Sequence, residues 1–202
     1  MRRCRTFTLA ALVKPSTLLI IAKQIVAVSV LALGAQLNAS IPGTAIPQTG
    51  QTIAVLVIGA MWGPRYGPLA IVLYLLLGGL GFPLFSEGGA GWSVLFGSSA
   101  GYFAGFVAAA ALMGGINTHL PSGLVYSCVF LFFAMLVGHG VILLCGFAGL
   151  TVWLSVAEAW QQGVAPFLYG VLVKSIIAGV LVLMLERWRM LKLFQSKEIA
   201  SR

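Results

Sequence analysis

The sequence predicts an all-α, polytopic integral membrane protein: a six-helix transmembrane bundle with a short or irregular second span and both termini cytoplasmic. Three observations predict it. Of 202 residues, 60% are hydrophobic and 8% charged, against roughly 25% charged in a soluble domain. Six apolar segments recur along the chain, at about 17–37, 52–63, 66–84, 98–115, 123–154 and 167–187. The bases between and beyond these segments fall on one side of them.

The first segment follows a basic tail, residues 1–16, containing Arg2, Arg3, Arg5 and Lys14. A small-residue stretch near Leu33-Gly-Ala-Gln resembles a signal cleavage site. The run contains Lys23, however, and exceeds a usual signal core, so it is read as a retained span. The second segment is short, about 18 Å as a helix, and the fifth is about 48 Å. The fifth must therefore tilt, protrude or kink near Gly138–Gly140. The last segment leads to a basic tail, 190–202, and the span from 17 to 189 forms one membrane domain.

Charge orients the bundle. With both termini cytoplasmic, the loops holding Arg65 and His119 are cytoplasmic too. The three opposite loops, roughly 38–51, 85–97 and 155–166, contain no Lys or Arg, as the positive-inside rule requires. Splitting the fifth segment would place the basic C-terminus outside. The net charge of +8 thus reads as topology and contact with anionic membrane lipids rather than nucleic-acid binding.

Composition also excludes chemistry. There is no Asp, and the four Glu are Glu87, Glu158, Glu186 and Glu198, too few for carboxylate-rich metal clusters or aspartate dyads. No G-x-x-x-x-G-K-[ST] phosphate loop occurs, so the chain is not itself a P-loop ATPase. Cys128 and Cys145 lie ~25 Å apart along one helix, too far for a disulfide. No metal-ligand spacing and no cofactor motif appears. Glycines at 97, 101 and 105, continued by Ala109, and at 59, 63 and 67, mark helix faces that let backbones approach closely in lipid.

The candidate site grows from Lys174, the one charge between Tyr169 and Leu185 in the last apolar segment. An ammonium in the bilayer costs about 2.5–3.5 kcal/mol on insertion scales, so it either holds a polar ligand or snorkels to the interface. It lies about 10–12 Å below the external helix end. The three base-free loops can surround a cavity above it. They supply Gln48, Thr49 and Gln51 from the first loop, and Phe85, Trp92, Ser98, Ser99 and Tyr102 from the second and its sequel. Trp160 and Phe167 belong to the third. Aromatics with a few amides and hydroxyls suit a small-molecule pocket; the same aromatics suit an interfacial belt.

Ordered motifs carry a resemblance. The first loop reads Ala45-Ile-Pro-Gln-Thr-Gly-Gln51; Tyr74-Leu-Leu-Leu-Gly-Gly-Leu-Gly-Phe-Pro-Leu-Phe85 follows; then come Gly97-Ser-Ser-Ala-Gly-Tyr102 and Pro166-Phe-Leu-Tyr-Gly-Val-Leu-Val-Lys174. From about Ile20 to Ala178 the chain resembles the BioY family, the biotin-binding S components of energy-coupling-factor (ECF) transporters. The resemblance implies a subunit of the cytoplasmic membrane that captures biotin from outside and works with a transmembrane coupling protein and two ATPase subunits. The loop reading and the resemblance together make Gln48, Thr49, Gln51, Phe85, Trp92, Ser98, Ser99, Tyr102 and Lys174 the expected substrate-binding residues. The chain departs from the pattern at Ala45, Ser98, Ser99 and Ala100. Val171 stands where the family has an aspartate that acts with the lysine on biotin. The ligand's own carboxylate is then one candidate for the anion that Lys174 meets, and a biotin relative lacking the group read by the aspartate is another.

Three other readings share parts of this pattern. One is an S component for another vitamin or a biotin relative. A second is an intramembrane serine protease built on Ser99, for which no histidine lies in the sixth segment. The third is a ligand-free scaffold assembled through its glycine faces.

Overall fold

A computed structural model describes residues 15–39, 42–44, 46–116 and 123–200. The basic residues before Pro15, together with Cys4, Ala45 and His119, lie outside the described residues. Among the described residues the fold has seven helices and one strand pair. They are α1 (Pro15–Gln36), β1 (Asn38–Ala39), β2 (Gln48–Thr49), α2 (Gln51–Gly79), α3 (Trp92–Leu95), α4 (Ala100–Ile116), α5 (Leu124–Leu150), α6 (Val156–Gly163) and α7 (Leu168–Ala200). Single 3₁₀ turns at Ser86–Gly88 and Ala165–Phe167 connect them. Among the described residues four helical stretches are long and apolar enough to cross a membrane: Thr17–Gln36, Gln51–Gly79, Leu124–Leu150 and Val156–Arg189. Ala100–Ile116 is a shorter apolar helix.

The second and third apolar segments are two halves of α2, which reverses at Gly63. That residue has φ 79° and ψ 177°, a region glycine enters without the Cβ penalty. Pro64 follows at once and starts the second half, where its missing N–H costs nothing. The reversal is visible in one contact: Gln51 Nε2 donates to Tyr74 Oη at 2.7 Å. In a straight helix those residues would stand about 35 Å apart. The second half stops at Gly79, so 80–84, expected as span, is an irregular turn instead.

The fifth apolar segment is helical to Leu150, and the expected third loop is ordered as α6 and a 3₁₀ turn. Ser155 and Glu158 begin α6 with a reciprocal capping box, in which the Ser155 backbone N–H donates to Glu158 Oε2 at 3.0 Å. The residues beyond 187 continue α7 to Ala200.

α2 packs on α1 and α4, α4 on α5, α5 on α7, and α7 returns to α2. Small residues set these approaches. A Cβ on Gly59 would lie 2.6 Å from the Ala110 carbonyl oxygen, and one on Gly67 would lie 2.9 Å from the Gly59 Cα. On the other face of α4, Gly105 meets the Ile142 backbone and Gly101 meets Gly149. Gly97 precedes α4 and neighbours only its own turn, so the predicted four-residue row begins at Gly101. Close backbone contact of this kind supplies dispersion where lipid removes the hydrophobic drive between helices. At the bundle's centre Phe85, 1% exposed, stacks on Phe103 at 5.2 Å and meets the Tyr74 ring edge-on at 5.6 Å.

Candidate functional site

The strand pair, the start of α2, the turn after it, and α4, α5 and α7 surround a cavity. Its floor and walls are largely apolar, from Ile46, Pro47, Val94, Phe103, Ile142 and Leu143. Local sequence explains why the first loop is held there. Antiparallel pairing of Asn38 with Thr49 and Ala39 with Gln48 brings the chain back to α1. The Gly50 N–H donates to the Leu37 carbonyl at 2.8 Å and closes the turn into α2. Gln48 Nε2 then bonds the Pro166 carbonyl at 3.2 Å, tying the loop to the segment that begins α7.

Lys174 is half-buried in the wall, and its Nζ donates to the Thr49 carbonyl oxygen at 2.7 Å. That bond satisfies one of the ammonium's three donors. The partner is a carbonyl dipole, and among the described residues Lys174 forms no ion pair. Val171, one turn earlier on the same face of α7, also lines the cavity. The site therefore offers a cation with unspent donors and an apolar side chain beside it.

Of the nine residues expected to bind substrate, Thr49, Gln51, Phe85, Ser99, Tyr102 and Lys174 line the cavity. Two of these are also committed to the scaffold. Gln51, 4% exposed, accepts from Thr49 Oγ1 at 3.4 Å and donates to Tyr74, whose hydroxyl donates to the Leu84 carbonyl at 2.9 Å. Tyr102 Oη donates to the Gly163 carbonyl at 2.6 Å, which fastens α6 over α4.

The other three lie outside the lining, each for a physical reason. The Gln48 side chain is spent on Pro166 and rests against Gly170. Trp92 is 46% exposed, packed on Gly79 and stacked on Phe96 at 6.0 Å. Ser98 is exposed in the turn before α4. The aromatics thus divide between the two readings of them. Phe85, Tyr102 and Phe167 turn inward, while Trp92 and Trp160 stay half-exposed as belt residues do.

Sequence reasoning passed over Thr52 and His139, both in the cavity wall. His139 lies within the fifth apolar segment. It is 2% exposed and bonds on both ring nitrogens, to Met135 O and Ser175 Oγ from Nδ1 and to Thr52 Oγ1 from Nε2. Like Lys174, it is an ionisable residue deep in an apolar segment, which marks a site by default. Ser99 shares the cavity but is not among the bonded partners of this imidazole. The contact between Ser99 and a histidine that the protease reading needs is therefore not made among the described residues. The arrangement is one of binding: apolar walls, one cation and a few oriented hydroxyls.

Comparison with known proteins agrees with that geometry. The family model described as "BioY family" matches residues 9–191. The biotin transporter BioY2 of Lactococcus lactis subsp. cremoris is 32% identical over 170 residues, covering 79% of this chain and 89% of its own. The biotin transporter BioY of Thermotoga maritima is 30% identical over 149 residues, covering 73% and 85%. Among solved structures, the S-component for biotin from an ECF-type ABC transporter superposes with a TM-score of 0.76 at 19% identity. The match covers 87% of this chain and 94% of that one, and it speaks to the fold alone.

Proposed function

Because this chain belongs to the BioY family, we propose that it binds biotin and serves as the substrate-binding S component of an ECF-type transporter in biotin uptake. The cavity's chemistry suits that molecule. Biotin presents a thioether-containing bicycle for the aromatic and aliphatic walls, a cyclic urea for the hydroxyls, and a carboxylate. Among the described lining residues Lys174 supplies the one cation, with donors to spare for a carboxylate or a urea carbonyl.

In this reading the chain crosses the cytoplasmic membrane six times, counting the two halves of α2 separately, with both termini cytoplasmic. The cavity then opens to the outside, where the base-free loops lie. The coupling protein and ATPase subunits provide the energy that this chain's sequence does not. The membrane-facing apolar surface, including Leu19, Ile25, Val30 and Leu33 of α1, contacts lipid. Val171 in the wall favours one second reading, a biotin relative as cargo, since an apolar side chain sits next to the cation.

The placement of Lys174 carries the proposal. Calorimetry of the purified protein with biotin tests it, with Lys174→Ala as the control for the site. Loss of a charged hydrogen bond worth about 1.5–3 kcal/mol should weaken binding roughly 10–100-fold. Tight biotin binding unaffected by Lys174→Ala removes the lysine from the site. Absence of biotin binding by wild type, with binding of a biotin relative, moves the cargo to the second reading.

A further inference from the structure

His139 and Thr52 form a directed hydrogen-bond relay in the cavity wall. Nδ1 of His139 lies 3.0 Å from the Met135 carbonyl oxygen, one turn earlier on α5. A carbonyl oxygen can only accept, so Nδ1 carries the ring proton. Ser175 Oγ, also 3.0 Å from Nδ1, shares that N–H. A second proton on the ring would add a positive charge to the wall that already holds Lys174, at a Coulombic cost. In the neutral ring Nε2 is therefore an acceptor. Its neighbour at 3.2 Å is Thr52 Oγ1 in the first turn of α2, which must donate.

With its proton committed to His139, Thr52 Oγ1 has only lone pairs left for the cavity it lines. We infer that His139 is a positioning residue that makes Thr52 an obligate hydrogen-bond acceptor for an N–H group of the bound ligand. Among the described lining residues there is no carboxylate, so this acceptor has no charged competitor. The Ser86 and Ser99 hydroxyls line the same cavity but make no side-chain hydrogen bond among the described residues. They can rotate to donate or accept; Thr52 cannot. The inference rests on the biotin reading and deepens it: the two N–H groups of the cyclic urea are the donors that Thr52 would select.

Two independent measurements test it. Nitrogen-15 NMR of histidine-labelled His119→Gln protein, which keeps one imidazole, reads the tautomer without added biotin. Protonated Nδ1 with bare Nε2 is expected, and an Nε2–H tautomer or a doubly protonated ring overturns the relay. Calorimetry with biotin is the second. Thr52→Val and His139→Asn should each weaken binding about tenfold, the size of one hydrogen bond, and the double variant no further. Thr52→Ser, which keeps the hydroxyl, should bind as wild type does. One of the two mono-N-methylated ureido biotins should bind wild type about tenfold more weakly and Thr52→Val with no further loss. If His139→Asn fails to fold, the tautomer and the Thr52 pair still decide. Biotin binding undiminished in Thr52→Val overturns the relay and leaves the transport reading standing. Absence of biotin binding by wild type overturns both.

Discussion

At the scale of single residues, the cavity is organised by a cation that has found a neutral partner. Lys174 was conspicuous in the sequence because an ammonium in an apolar helix demands an explanation. The bond to Thr49 O at 2.7 Å supplies one that no local pattern could contain, because the partner is a backbone atom 125 residues away. Val171 was legible as a departure from a family motif, and the structure places it in the cavity wall. A carboxylate there would share a helix face with Lys174 and offer a charged acceptor to ligand N–H groups. Val171→Asp is therefore expected to tighten biotin binding about tenfold, in keeping with the greater strength of charge-assisted hydrogen bonds. Calorimetry checks this, and weaker binding would show that the valine serves as an apolar contact. The sequence points to Gln48, Trp92 and Ser98 through residue type and neighbourhood. Type alone did not say which way each side chain would face, and each is occupied or exposed elsewhere.

At the scale of elements, the distinctive piece is α2, a helix folded back on itself. Two different constraints hold the fold there, and substitutions separate them. A Cβ at Gly63 meets nothing within 4 Å, so Gly63→Ala is opposed by backbone strain alone, of order 1–3 kcal/mol. Gly59 has an ordinary helical backbone, but a Cβ there would lie 2.6–2.7 Å from the Ala110 carbonyl oxygen and Cα. Gly59→Val must push α2 from α4, at a cost typical of overpacking, about 1–3 kcal/mol or more. Thermal unfolding in detergent should show both variants destabilised, while Gly115→Ala, whose Cβ also meets nothing within 4 Å, should match wild type. Both halves of α2 are legible in the sequence, as are Gly59 and Gly67, where they meet, but Gly63 is the reversal itself and belongs to no helix face. Hydropathy places the end of the second half five residues late, because Leu80 and Phe82 are apolar yet belong to a turn, exposed by 67% and 56%.

At the scale of the whole molecule, the claim to test is orientation. In a chain whose three cysteines are replaced by serine, Glu87→Cys and Gln161→Cys should react with an impermeant maleimide on intact cells. Arg65→Cys, at the α2 reversal, should react only after the cells are opened. The opposite pattern would invert the bundle and turn the cavity to the cytoplasm.

Membrane residence, the number of apolar segments and the cluster of base-free loops were determined by sequence alone. Hydropathy and the positive-inside bias act segment by segment and need no knowledge of neighbours. Which side chains face the cavity was decided only by tertiary structure. That outcome depends on how α2, α4, α5 and α7 rotate against one another, and glycine contacts such as Gly59 on Ala110 and Gly101 on Gly149 set those rotations. The same packing brings Thr52, His139 and Ser175 together from three helices, since buried polar groups must find partners wherever the fold provides them.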